Sequence, residues 1–406
     1  MVTNQPLFLL VQIILLAIAL ALLIPIAVLF IECMAAFFPP HQDKEEKPAP
    51  RPKVTILIPA HNEASDIAAT LKTILPQLTD SDRLIVIADN CTDNTAEVVR
   101  QVGATAIERE NPDLRGKGYA LDYGLRCIET EPPDVLVLVD ADCQVSPGSI
   151  DKIARLAAAS ECPVQATYLM TQPDNPGVND LISTLSLRVK NLVRPVGLTR
   201  LGLPCLLMGS GMALPWSLMS KISLAGCKTV DDMQLAVDLA IAGHPPLFCQ
   251  DAHVQGRLMK DKAAKSQKAR WEHGHLEMLF TEVPRLLQES ISQRRWDLFA
   301  LALELAVPPL SLLLLIWAAA TGGALVAAVL GVSWIPGMVL GLEGLLILIS
   351  VIGSWAKFCR ADIPGRTLLA VPFYILWKVS LYPAFLIKPQ SRWLKTERDT
   401  VDVTES

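Results

Sequence analysis

The chain has 406 residues, 51% of them hydrophobic and only 19% charged, less than the roughly 25% of ordinary soluble domains. That composition predicts a membrane component, and the length leaves room for one soluble domain beside it. With 36 Lys and Arg against 41 Asp and Glu, the net charge of −5 excludes a general polyanion binder, so no nucleic-acid partner is expected.

The first predicted element is the uncharged run from Leu7 to Ile31, long enough to cross about 30 Å of hydrocarbon. It exceeds the roughly 7 to 15 apolar residues of a signal peptide and no basic segment precedes it, so residues 1–38 are read as a retained spanning helix. Residues 39–53, with Pro39, Pro40 and a charged, proline-rich stretch, read as a linker. From 54 to 290 the pattern changes. VTILI (54–58), RLIVIA (83–88) and VLVLV (135–139) are short apolar runs that suit strands buried on both faces. Between the first two strands, residues 65–77 have helical spacing, as do residues 92–102 after the second, with Ser65 or Asp66 and Thr92 or Asp93 available as caps. This βαβαβ order predicts an α/β domain on a parallel sheet, with its ligand beyond the carboxyl ends of the strands.

Residues 291–390 form a second apolar region of two to three helices. Spans are expected at about 298–320 and 335–356, parted near Gly322 and Gly323. A third stretch, 367–388, reads as a span, a re-entrant segment or an interfacial helix. Residues 391–406 would be a cytoplasmic tail. Lys44, Lys47, Arg51 and Lys53 follow the first span and Arg294 and Arg295 precede the next, which places the middle segment in the cytoplasm of an integral protein of the plasma (inner) membrane. Glu304 and Glu343, inside or at the edge of the apolar spans, invite a functional reading, against the expectation that they face other helices or sit near the surface. The nine cysteines are odd in number and lack a CxxC spacing, so neither a disulfide framework nor a zinc cage is expected.

Each predicted strand ends in polar residues: PAHNE (59–63), ADNCTDNT (88–95) and Asp140-Ala141-Asp142. Carboxylates gathered at one sheet edge repel unless a cation lies among them, and hard oxygen ligands select Mg2+ or Mn2+, which commonly bridge phosphates. Asp93 alone reads as a cap; the Asp-x-Asp pair reads as a metal site. Arg115 and Lys117 in LRGKGYALDYG (114–124) stand among glycines that let a phosphate approach. Gln267, Arg270 and Trp271 share one helix face. His273 and His275 read as surface or capping residues, and Lys260, Lys262, Lys265 and Lys268 as a solvated face or a contact for anionic membrane lipids.

PAHNE, DNCTD, RGKGYAL, DAD, GSGMAL (209–214), VDDMQL (230–235) and QKARW (267–271) occur in the order and approximate spacing of family 2 glycosyltransferases. Residues 53–280 resemble their GT-A catalytic domain. The QxxRW element resembles that of the membrane branch, which includes cellulose, chitin and hyaluronan synthases and ceramide glucosyltransferases. The resemblance implies a nucleotide diphosphate sugar donor, UDP-sugars being commonest. It further implies that Pro59, Glu63 and Asp89 wall the nucleoside, that Lys117 contacts it or its phosphates, and that Asp140 and Asp142 bring Mg2+ or Mn2+ to the diphosphate. Gln267, Arg270 and Trp271 would close the acceptor side, with Trp271 as a sugar platform.

Where the family shows Glu-Asp or Thr-Glu-Asp, this chain has Val230-Asp231-Asp232, so either aspartate could be the base. Asp232 matches the final acid, and Asp231 would steady it or contact the acceptor. The expected reaction is inverting hexosyl transfer to a lipid or lipid-linked saccharide. The alternative within the family is a processive polysaccharide synthase, although the predicted spans fall short of the channel expected of a cellulose synthase. Outside it, a membrane nucleotidyltransferase would account for the Asp140–Asp142 metal pair but for neither QKARW nor the acid pair at 231 and 232, and a transporter would put function in spans that lack a polar, broken-helix pattern.

Overall fold

The computed structural model describes residues 5–39, 50–173, 175–219, 222, 224, 231–257 and 261–378. Most of the expected linker and all of the expected tail lie outside them. Eight strands form one mixed sheet: β1 (Val54–Ala60), β2 (Arg83–Asp89), β3 (Thr105–Arg109), β4 (Val135–Leu138), β5 (Gln144–Val145), β6 (Val164–Thr171), β7 (Met212–Pro215) and β8 (Leu247–Arg257). Their order is β3-β2-β1-β4-β7-β6-β8-β5. The first four strands of that order run parallel, β7 is antiparallel to both its neighbours, and β5 is antiparallel to β8. The expected parallel sheet is therefore half of a mixed one.

Side chains alternate across the strands and build two cores. Val54, Ile56 and Ile58 face α2 (Ile67–Ile74), α3 (Thr95–Val102) and, further along the sheet, α5 (Ser149–Ser160). Leu57, Leu136 and Leu138 face the opposite layer, made by α4 (Lys117–Ile128) and, beyond the helical turn α8 (Trp216–Met219), by α9 (Asp231–Ile241), α10 (Asp261–Ser292) and α11 (Trp296–Ala306). Each fully buried Ile or Leu contributes about 1.5–3 kcal/mol, so a one-residue register slip would turn both cores inside out.

A third cluster joins the membrane helices to the sheet domain. It combines α1 (Gln5–Ala35) with α6 (Val178–Arg188), the π-helical turn Val189–Val193, α7 (Arg194–Arg200), α12 (Leu310–Val329) and α13 (Ile335–Ser354). Gly197 lets α7 meet α1 closely, since a Cβ there would stand 1.9 Å from the Glu32 carbonyl oxygen. Among the described residues, three helices are long and apolar enough to cross a membrane: Gln5–Ala35, Leu310–Val329 and Ile335–Cys359.

The expected span at 298–320 is corrected. Residues 296–306 form α11, whose Leu298, Leu301 and Leu305 pack into the sheet core. The chain breaks at Pro308 and Pro309, where the fixed φ and missing N–H end one helix and admit the next, whereas Gly322 and Gly323 lie inside α12. After α13, a 3-10 turn (Gly365–Ala370) leads into α14 (Val371–Lys378); residues 379–388 of the third expected stretch lie outside the described residues. Glu304 and Glu343 are both buried, as expected of carboxylates that face protein.

Candidate active site

The loops after β1 and β2 are fixed by asparagines in left-handed backbone, Asn62 (φ 55°) and Asn90 (φ 50°), a conformation Asn tolerates better than most residues. The Asn62 side-chain oxygen accepts from Thr92 N at 2.6 Å, and that of Asn90 accepts from Asn111 N at 2.8 Å. Asp93 is structural: its carboxylate accepts from Thr95 N and Oγ1 and from Ala64 N, stapling the two loops together. These bonds hold its carboxyl below the usual range against partial burial.

One cavity of about 900 Å³ collects Pro59, Glu63, Asp89, Lys117, Asp140, Asp142, Asp232, Gln267, Arg270 and Trp271. The structure thus brings together every candidate side chain except that of Asp231, which begins α9 but whose side chain is not described. Asp89 is buried against Arg109, whose guanidinium also donates to Leu114 O at 2.9 Å. Lys117 donates to the Asp140 carboxylate and, at 2.7 Å, to Gly209 O. Gly209 has φ +90°, and a Cβ there would stand 3.2 Å from Asp232 Oδ2 and 3.8 Å from Lys117 Nζ. The glycine therefore keeps the floor open where aspartate and lysine meet.

The electrostatics differ from residue to residue. Burial, then the neighbouring Asp140 charge, pushes Asp142 up to about 6. Burial also raises Asp232, while the cations Lys117 and Lys190 pull it back down. Burial lowers Arg270, opposed by Asp140. Arg270 Nε and Gln267 Oε1 have no hydrogen-bond partner among the described residues. His273 and His275 are buried, not superficial: α10 lies beneath α11, and His275 Nε2 donates to Leu305 O at 3.1 Å. Burial lowers His275 to about 3, which keeps it neutral. Of the four lysines named on this segment, only the Lys268 side chain is described, and it lines the cavity.

Sequence reasoning missed Arg109, Lys190 and Arg194. Each is a single basic residue without a motif, and Arg194 is buried against Glu32 of α1; an arginine in an apolar segment is the only signal it carried. The far wall of the cavity was also unforeseen. It is formed by Leu29 of α1, Val307 to Leu310 at the proline break, and Tyr374 and Lys378 of α14.

A mixed sheet with acids at its strand ends over a shared cleft is a GT-A-like fold. The sequence model of the family described as "Glycosyltransferase like family 2" matches residues 50–274, and the chain belongs to that family. The low-salt glycan biosynthesis hexosyltransferase Agl6 of Haloferax volcanii is 29% identical over 112 residues, 27% of this chain and 26% of that protein. The probable glycosyltransferase YdaM of Bacillus subtilis is 35% identical over 99 residues, 22% of this chain and 23% of that one. The chain spans about a quarter of these two relatives. Among solved structures, a mannosyltransferase from Pyrobaculum calidifontis, in complex with GDP-Man and Mn2+, shares the fold with a TM-score of 0.56 at 21% identity, covering 90% of this chain and 99% of that one.

Proposed function

We propose that this protein is a glycosyltransferase, an integral membrane enzyme of the QxxRW branch. It transfers a hexose with inversion from a nucleotide diphosphate sugar, a UDP-sugar first among candidates, to a lipid or lipid-linked saccharide. The observation that carries this reading is the continuity of one cavity from the acidic strand ends to Leu29 and Leu310 on two of the candidate spans and Tyr374 on α14. A donor needs the first end, and an acceptor arriving from the bilayer needs the second.

The donor set fits Mg2+ or Mn2+. Asp140 and Asp142 are hard oxygen ligands, and burial followed by the Asp140 charge raises Asp142. No cluster of three or more His, Cys, Asp or Glu suited to a metal occurs among the described residues, which suits an ion completed by diphosphate oxygens and water. When bound, it would stabilise the charge that grows on the leaving diphosphate.

The protein's own groups do the rest. Pro59, Glu63 and Asp89 wall the nucleoside, with Arg109 holding Asp89 in place. Lys117, paired with Asp140, and Arg270, on which the Asp140 charge acts, receive the phosphates. Asp232 takes the proton of the acceptor hydroxyl as the new bond forms on the face opposite the diphosphate, so an α-linked donor gives a β-linked product; Asp231 steadies it or meets the acceptor. Trp271 offers its ring to the sugar. The positive residues that flank the spans support a cytoplasmic catalytic domain at the plasma (inner) membrane.

The test is incubation of purified protein in nanodiscs with a panel of labelled nucleotide sugars. One added sugar in the organic phase, lost with Asp142→Asn, is expected; a long water-soluble chain would favour the processive synthase and overturn the lipid acceptor.

A further inference from the structure

Lys190 is left over by this chemistry. It sits in the π-helical turn Val189–Val193 between α6 and α7, a geometry that interrupts regular helix and often marks functional positions. The side chain lines the cavity. Among the described residues its ammonium makes no hydrogen bond or ion pair, unlike the other cations near it: Lys117 is paired with Asp140, Arg194 with Glu32 and Lys378 with Glu272. Enclosure lowers its basicity, as expected of a charge held away from water.

Its position separates it from the donor cations. The acid that acts on Arg270 is Asp140; those that act most strongly on Lys190 are Asp232, Glu304 and Glu272. The turn that carries Lys190 packs through Val189 and Val193 into the cluster of α1, α12 and α13, which sets Lys190 toward the long apolar helices. Asp232, Glu304 and Glu272 act on this ammonium without a hydrogen bond or ion pair to it among the described residues, so an anionic group on a ligand can pair with it directly.

We propose that Lys190 binds a phosphate group carried by the acceptor, so that the acceptor is an anionic amphiphile, a long-chain lipid phosphate whose chain lies along Leu29 and Val307 to Leu310. This rests on the transfer reading above and narrows its acceptor class.

The test uses the full chain in phosphatidylcholine nanodiscs, with dodecyl phosphate, dodecanol and inorganic phosphate displacing a fluorescent fatty-acyl probe. Dodecyl phosphate is expected to displace at a concentration lower than dodecanol by about tenfold or more. Lys190→Gln should erase that preference and Lys190→Arg should keep it. A second reading needs no variant: dodecyl phosphate, but not dodecanol, should protect Lys190 from reductive methylation followed by mass spectrometry. Equal displacement by the two amphiphiles, a preference that survives Lys190→Gln, or absence of protection overturns the assignment. Inorganic phosphate as effective as dodecyl phosphate overturns the lipid source. Nucleotide diphosphate release by wild type and Asp142→Asn is read in the same preparation. If the wild type releases none, the transfer reading fails; if release is normal and the phosphate preference is absent, only the Lys190 assignment fails.

Discussion

Burial, and then the charge of Asp140 two residues away, push Asp142 up to about 6, while Lys117, paired with Asp140, acts against the rise. The same logic applies to Asp232, whose enclosure raises it while two lysines restrain the rise. Asp232→Asn is expected to cut turnover by about 10²–10⁴-fold, with nucleotide diphosphate affinity by calorimetry changed much less; equal loss of both would make Asp232 a binding group. The sign of the pH dependence follows. A base works only when deprotonated, and burial favours its protonated form. The rate should therefore climb with pH through an acidic limb that lies above the ordinary aspartate value of about 3.9. A limb at or below that value in the pH profile of kcat would deny Asp232 the role.

At the scale of elements, strand ends were legible and helix breaks were not. β1, β2 and β4 announce themselves because each is buried on both faces, so apolar runs end abruptly in polar residues. β8 is half exposed and β5 has two residues, so neither has an apolar run to detect. The α11–α12 division escaped because a short core helix and a span share one apolar composition across Pro308 and Pro309; only the packing of Leu298, Leu301 and Leu305 tells them apart. The junction of α1 with α7 was equally silent, since it depends on a glycine and on charges 162 residues apart. Gly197→Ala should push α7 off α1 and destabilise the protein by about 1–3 kcal/mol. Glu32→Gln, which leaves Arg194 buried without its counter-charge, should cost about 3–5 kcal/mol. Both are measured by denaturation in detergent, and an unchanged midpoint in either would show that this junction carries no stability.

At the scale of the whole molecule, the cavity has walls from both ends of the sequence, with donor groups on the sheet and apolar groups on α1, α12 and α14. Leu29→Trp would fill the membrane end while leaving the strand ends untouched. Its expected effect is a rise in acceptor KM of about tenfold with nucleotide diphosphate affinity unaltered, checked by initial rates and calorimetry; a matched loss of donor affinity would mean that the two ends are not independent. The Glu32–Arg194 contact, with Leu29 one helical turn before it, has a practical consequence. A water-soluble fragment cut free of its anchors would keep every motif by which the family is recognised, yet lack part of the chamber and expose a bare guanidinium. Such a fragment should bind nucleotide and handle its second substrate poorly, because Leu29 of α1 lines the cavity that the strand ends open into.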